Sequence, residues 1–231
     1  MIQDRRVAVI FRFISFLIAL AGLLLHMNIF IGEFFHWRLM YYTIQSNILA
    51  LFMFGLLLIK TIIGYAREGK YGKTGFFARF EMVCVVDLLL TLIVYWALLA
   101  PGVSGLGDEF KILSFHNFSV HLITPLLCLI DYILFTESGH LKYKDVYAIT
   151  IFPLLYVLYT SIAGLTGYVY RISADGRPVR FPYFFFDFDE IGLKAFLYIG
   201  VLMAIFLLFA HVFYWLDKKL KKPLLYPKGI A

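Results

Sequence analysis

The chain has 231 residues, of which 62% are hydrophobic, 19% aromatic and 16% charged. Soluble domains carry about 45–50% apolar and about 25% charged residues, so this composition argues against a water-soluble fold and excludes disorder and collagen-like repeats. The net charge of +6 is not the footprint of a nucleic-acid binder, because the basic residues fall in short gaps between apolar runs, where they control membrane topology.

Six apolar stretches, 8–31, 42–64, 80–100, 116–135, 146–170 and 191–216, each approach the ~20 residues that a helix needs to cross the hydrocarbon. Backbone polar groups in lipid must be satisfied within the segment, so each stretch reads as a helix. The expected fold is all-α: residues 1–231 form one integral membrane bundle of six helices with both termini cytoplasmic. The first stretch has basic flanks like a signal peptide, but it is too long for one and no small-residue cleavage pair follows it. It carries Arg12 about a turn inside and His26 near its outer end. The second opens on Thr43, Gln45, Ser46 and Asn47, and the third buries Cys84 and Asp87. The fourth holds His116, His121, Cys128 and Asp131, and the sixth holds His211. The longest connection, 171–190, mixes charges with an aromatic run and ends near Asp187 and Asp189. It reads as a lid over the outer mouth or, equally, as a solvated linker.

Orientation follows from the basic residues. Arg5, Arg6, Arg12, Lys60, Arg67, Lys70, Lys73, Arg79, Lys142, Lys144, Lys218, Lys219, Lys221, Lys222 and Lys228 lie on one side, fifteen of 21. Arg38, Lys111, Arg171, Arg177, Arg180 and Lys194 lie on the other. The richer side is expected to be cytoplasmic.

Ionisable groups at membrane depth are functional candidates. Near the cytoplasmic side, Arg12 with either Asp87 or Asp131 makes an interhelical ion pair, since pairing offsets the cost of burial. Near the outer side, Thr43, His26 and His121 reach similar depth on the ~1.5 Å rise per residue. A threonine hydroxyl becomes a nucleophile when a nearby histidine takes its proton. Asn47, Ser46, Gln45 or the N–H groups at the start of the second span could stabilise an oxyanion. The plainer alternatives are an N-cap for Thr43 and interhelical hydrogen bonds for the histidines. Which of His26 and His121 faces Thr43 stays open. No spacing suits a metal, and no cofactor is expected. Buried cysteines in apolar runs read as inert.

The segment Tyr41-Tyr42-Thr43-Ile44-Gln45-Ser46-Asn47, a histidine two spans later and the run Pro182–Asp189 resemble the androgen-induced-gene family. His121-Leu122-Ile123-Thr124-Pro125-Leu126-Leu127 followed by Asp131, and Phe152-Pro153-Leu154-Leu155-Tyr156, resemble its small bacterial six-helix branch. That resemblance implies a threonine hydrolase acting within the bilayer on esters of hydroxy fatty acids, with Thr43 as nucleophile and His121 as base, in a bacterial inner membrane. Animal members differ after the threonine, which leaves acyl chain and leaving group open. His26 and Asp187 or Asp189 are expected to line the mouth or orient the histidine. The expected partners are a lipid or amphiphilic ester and the bilayer, with no nucleic acid. An acyltransferase using the same dyad, and a non-catalytic binder or transporter of an amphiphile, are the alternatives.

Overall fold

A computed structural model of the chain describes all residues except 31, 33, 104–112, 140, 174 and 220–231. Ile31, Lys111, Lys221, Lys222 and Lys228, used above for span limits and orientation, lie outside the described residues. Six helices are long and apolar enough to cross a membrane: α1 Arg5–His26, α2 Tyr42–Glu68, α3 Ala78–Leu99, α4 Phe115–Phe135, α5 Asp145–Leu165 and α6 Lys194–Lys219. The only described strands form a two-residue hairpin, β1 Arg171–Ile172 with β2 Pro178–Val179. The chain is an all-α six-helix membrane protein.

Successive helices run in opposite directions, so the starts of α1, α3 and α5 share one end with the ends of α2, α4 and α6. Contacts there are direct: the Arg5 N–H donates to Lys70 O at 2.8 Å, Ile2 N–H to Leu134 O at 2.7 Å and Lys218 Nζ to Gly139 O at 3.0 Å. This is called the terminal end, and the opposite one the distal end. α1, α2, α3 and α4 pack around fully buried Phe54, Leu57, Met82 and Leu88. α6 turns most of its surface outward, through side chains such as Phe196, Leu197 and Leu208. Such an apolar exterior is what a bilayer covers.

Several helix limits differ from those expected. Asp4 caps α1 by accepting from Arg6 N at 3.0 Å, so the helix begins at Arg5 and Arg12 lies two turns inside it. α5 stops at Leu165, where Gly167 turns the chain with φ +85° and residues 168–170 lead into the hairpin. α6 starts at Lys194 because Gly192, at φ +56°, breaks it from a one-turn helix at Phe188–Ile191. Hydropathy does not register the end of α5, because residues 168–170 beyond it are apolar.

Arg12 is completely buried. Its Nε and Nη2 donate to the two oxygens of Asp131 at 2.9 and 2.8 Å, and Nη1 donates to Thr61 Oγ1 at 2.6 Å and Thr74 O at 2.7 Å. One guanidinium thus ties α1, α2, α4 and the α2–α3 connection. Of the two acids considered for this pair, Asp131 takes it. Asp87 instead accepts from Tyr42 Oη at 2.9 Å, between α2 and α3. The terminal end, with Arg12, also holds Arg5 against Glu68, Glu81 against Thr136, and Tyr132 donating to Asp217 at 2.8 Å.

Candidate functional site

α2 begins where a 3₁₀ turn, His36–Met40, closes at the distal end, and Gln45 Nε2 secures that turn by donating to Leu39 O at 2.9 Å. Tyr41 is the N-cap, with extended backbone and no side-chain cap bond. Thr43 therefore lies inside the first helical turn, and the capping alternative is set aside. Its side chain lines a crevice between α2, α3, α5 and α6, together with Tyr42, Tyr95, Leu99, Tyr156, Tyr183, Phe186 and Phe206. The open volume of this crevice is about 70 Å³. The space is a narrow slot between aromatic walls, with room for a few waters.

The aromatic run of the 171–190 connection closes the distal side of the slot. Tyr183, Phe185 and Phe186 pack with Tyr156, whose hydroxyl donates to Met40 O at 2.9 Å. The Tyr183 phenol faces the Thr43 hydroxyl and the backbone at residues 42 and 43. Burial raises its pKa above the ordinary tyrosine value. A phenol oxygen thus sits against the free N–H end of α2, where a helix favours negative charge.

His121 stands on a π turn, Ser119–Ile123, inside α4. There Thr124 N–H bonds to Ser119 O, one residue further back than in an α-helix, and Pro125 has no N–H to offer the carbonyls behind it. Two side chains serve those carbonyls: Asn47 Nδ2 donates to Val120 O at 2.9 Å, and Trp96 Nε1 to His121 O at 3.3 Å. α3 repeats the device at the same end, with a π turn at Tyr95–Leu99 followed by Pro101. The rings of Tyr95 and His121 stack with centroids 3.6 Å apart. His121 Nδ1 lies 3.1 Å from Asn117 O. A carbonyl can only accept, so Nδ1 carries the proton and Nε2 keeps its lone pair, the tautomer a general base needs.

Thr43 and His121 share one layer. Asn47 Nδ2 bonds both Thr43 O, at 2.8 Å, and Val120 O, while Tyr95 belongs both to the crevice and to the His121 stack. The hydroxyl and imidazole are not hydrogen-bonded to each other. His26 packs edge-on to His116 at 5.5 Å and to His121 at 6.1 Å, and its buried Nδ1 has no partner.

The remaining candidates have other duties. Both Asn47 N–H groups are engaged by carbonyls, so its amide has no donor left for an oxyanion. Ser46 Oγ bonds Thr43 O at 3.1 Å and meets Thr91 Oγ1 at 3.3 Å. Asp187 caps the Phe188–Ile191 turn by accepting from Asp189 N and Glu190 N, and Asp189 is paired with Arg180. Neither carboxylate orients a histidine, because the connection folds them onto its own backbone and basic groups. Among the described residues, no group of histidine, cysteine and carboxylate side chains could hold a metal ion. Tyr95, Trp96 and Tyr183 are site residues that reading for ionisable groups missed. Pro101 and Pro125, each six residues beyond the start of a π turn, were the available signal. No family model, curated protein or solved structure matches the chain.

Proposed function

We propose that the protein is an intramembrane lipid ester hydrolase, a reading that extends the resemblance to the androgen-induced-gene family. The observation that carries it is a threonine hydroxyl in the first turn of a helix, opening into a narrow aromatic slot. The apolar lining of the slot suits an acyl chain, which enters by parting its aromatic walls, and the helix end suits developing negative charge. Thr43 Oγ attacks the ester carbonyl carbon while His121 Nε2 takes the hydroxyl proton. The tetrahedral oxyanion rests on the N–H groups of residues 42 and 43, in the place held by the Tyr183 phenol, which the ester displaces. Collapse breaks the bond to the alkoxy group, which leaves with the proton from His121. Water then attacks the acyl-threonine, giving its proton to the same nitrogen, and the carboxylic acid departs as Thr43 regains its hydrogen. Dyads without substrate are commonly loose and tighten on binding, which accommodates the missing Thr43–His121 bond. On this reading the end rich in lysine and arginine faces the cytoplasm and the slot opens in the outer half of the bilayer, which the resemblance makes a bacterial inner membrane.

The missing bond favours a second reading, a binder of amphiphiles without chemistry. Labelling of the purified protein by a fluorophosphonate probe separates the two. Thr43→Ala is expected to abolish labelling and His121→Ala to slow it by about 10²-fold or more, with the fold retained in both. Labelling absent from the wild type, or unaffected in Thr43→Ala, overturns the hydrolase.

A further inference from the structure

At the distal end, four described arginines lie outside the helices' apolar middle, and they divide into two kinds. Arg177 pairs with Asp175 at 2.6 Å and with Glu190 at 3.7 Å, and Arg180 pairs with Asp189. Arg38 and Arg171 have no carboxylate partner among the described residues, although both are half-buried. They meet on one ring: the Arg38 guanidinium lies 5.2 Å and the Arg171 guanidinium 5.8 Å from the Trp37 centroid. Arg171 Nε is buried and has no hydrogen-bond partner, while the rest of its guanidinium faces the neutral phenols of Tyr41 and Tyr170. One Nη of Arg38 is bonded to the His26 carbonyl, and the His26 ring, with its own unpartnered Nδ1, continues the patch inward.

Even partial withdrawal of an arginine from water without an anion has a cost, and its planar fork matches a carboxylate or phosphate. Two such forks around an indole, in the half of the bundle where lipid headgroups lie, are an anion cradle. From there to the slot the path is short. Trp37 touches Tyr41 with centroids 5.9 Å apart, and Tyr41 touches Tyr183 at 5.5 Å, and Tyr183 faces Thr43. We infer that Arg38 and Arg171 form an anion-binding subsite that holds the carboxylate or phosphate of an amphiphile whose chain enters the aromatic slot. The inference rests on the hydrolase reading only where it places a reacting ester beside Thr43.

The full chain in nanodiscs of zwitterionic lipid is titrated calorimetrically with dodecanoate, dodecyl phosphate and dodecanol. The wild type is expected to bind at least one of the anions about ten-fold or more tighter than the alcohol, the size of a charge-assisted contact. Arg38→Gln and Arg171→Gln each remove most of that preference, and Arg177→Gln, which strips a paired arginine, leaves it. The tighter anion identifies the source, carboxylate or phosphate. Arg171→Lys keeps the charge without the fork and is expected to fall between, which keeps the test informative if a glutamine variant unfolds. Absence of preference over dodecanol, or equal losses in Arg177→Gln, overturns the subsite. Thr43→Ala is titrated in parallel: it keeps the preference while losing fluorophosphonate labelling, so a failed dyad and a failed subsite give different results.

Discussion

Arg12 and the pair Arg38 and Arg171 are both arginine centres in an apolar bundle, yet their surroundings are opposites. Around Arg12 both oxygens of Asp131, a threonine hydroxyl and a backbone carbonyl take up the guanidinium, and nothing of it reaches solvent. Around Arg38 and Arg171 the partners are ring faces, the His26 carbonyl and the Tyr41 and Tyr170 phenols, with no carboxylate among the described residues, and Arg171 Nε has no hydrogen-bond partner. A buried polar group with every valence satisfied rigidifies a fold, whereas one left incomplete marks where a ligand or strain enters. The terminal end is thus built as a closed joint and the distal end as an open one.

The largest expected effect breaks the closed joint. Arg12→Leu leaves the Asp131 carboxylate buried and uncompensated, and removing one partner of a buried pair costs about 3–5 kcal/mol. Thermal unfolding in detergent should fall by many degrees, while Arg38→Gln, which leaves no buried acid behind, should change it little. The double variant Arg12→Met/Asp131→Leu should recover much of the loss, since apolar replacement of both partners is often neutral. A double variant as unstable as the single one would assign the joint's value to the Thr61 and Thr74 contacts instead.

The open end depends on packing, and a smaller change tests that. A Cβ on Gly164 would meet the ring of Phe181, at the foot of the aromatic run. Gly164→Ala should therefore push the connection off α5 at about 1–3 kcal/mol, the usual cost of overpacking. Limited proteolysis should find new cleavage within 171–190, and the joint at Arg12 should be untouched. Protection equal to wild type would show that the ring swings aside.

The two ends also differ in how far the sequence foretold them. Apolar length alone marked the six helices, and the cost of a buried arginine demanded an acid for Arg12. The choice between Asp87 and Asp131 was not legible, because depth says nothing of rotation, and the Tyr42 phenol that claims Asp87 has no charge to draw attention. Thr43 and His121 could be matched by depth. Their facing could not, because each π turn adds a residue and rotates the remainder of its helix by about 100°. Tyr183 was out of reach for another reason: its place depends on the fold of a long connection and not on any helical period.

Asp187→Ala is a finer probe of the open end. Its carboxylate caps the turn at Phe188–Ile191, and losing such a cap costs about 1 kcal/mol. Hydrogen exchange should quicken at the amides of Asp189 and Glu190 and leave α2 and α4 unchanged. Spread of the effect to α2 would mean that this turn, and not the aromatic run, holds Tyr183 over the slot.

The smallest expected effect lies in the hairpin, at an arginine that does have its acid. The Ser173 hydroxyl and the Arg177 guanidinium hold the Asp175 carboxyl down to about 2, from an ordinary 3.8. The folded hairpin therefore prefers the ionised acid. That preference is complete above about pH 4, declines as pH falls toward 2, and is gone below it. Because the group is exposed, salt should weaken the response. Amide exchange of Gly176 and Arg177, followed from pH 5 to pH 2 after correction for intrinsic rates, should show loosening in the wild type. Asp175→Asn and Arg177→Gln should flatten it, each by removing one side of the pair. Arg38→Gln should leave it intact, because no carboxylate among the described residues is linked to that guanidinium. A response in Arg38→Gln as flat as in Arg177→Gln would mean that the two kinds of arginine share one charge network, and the contrast between paired and open centres would fail at the distal end.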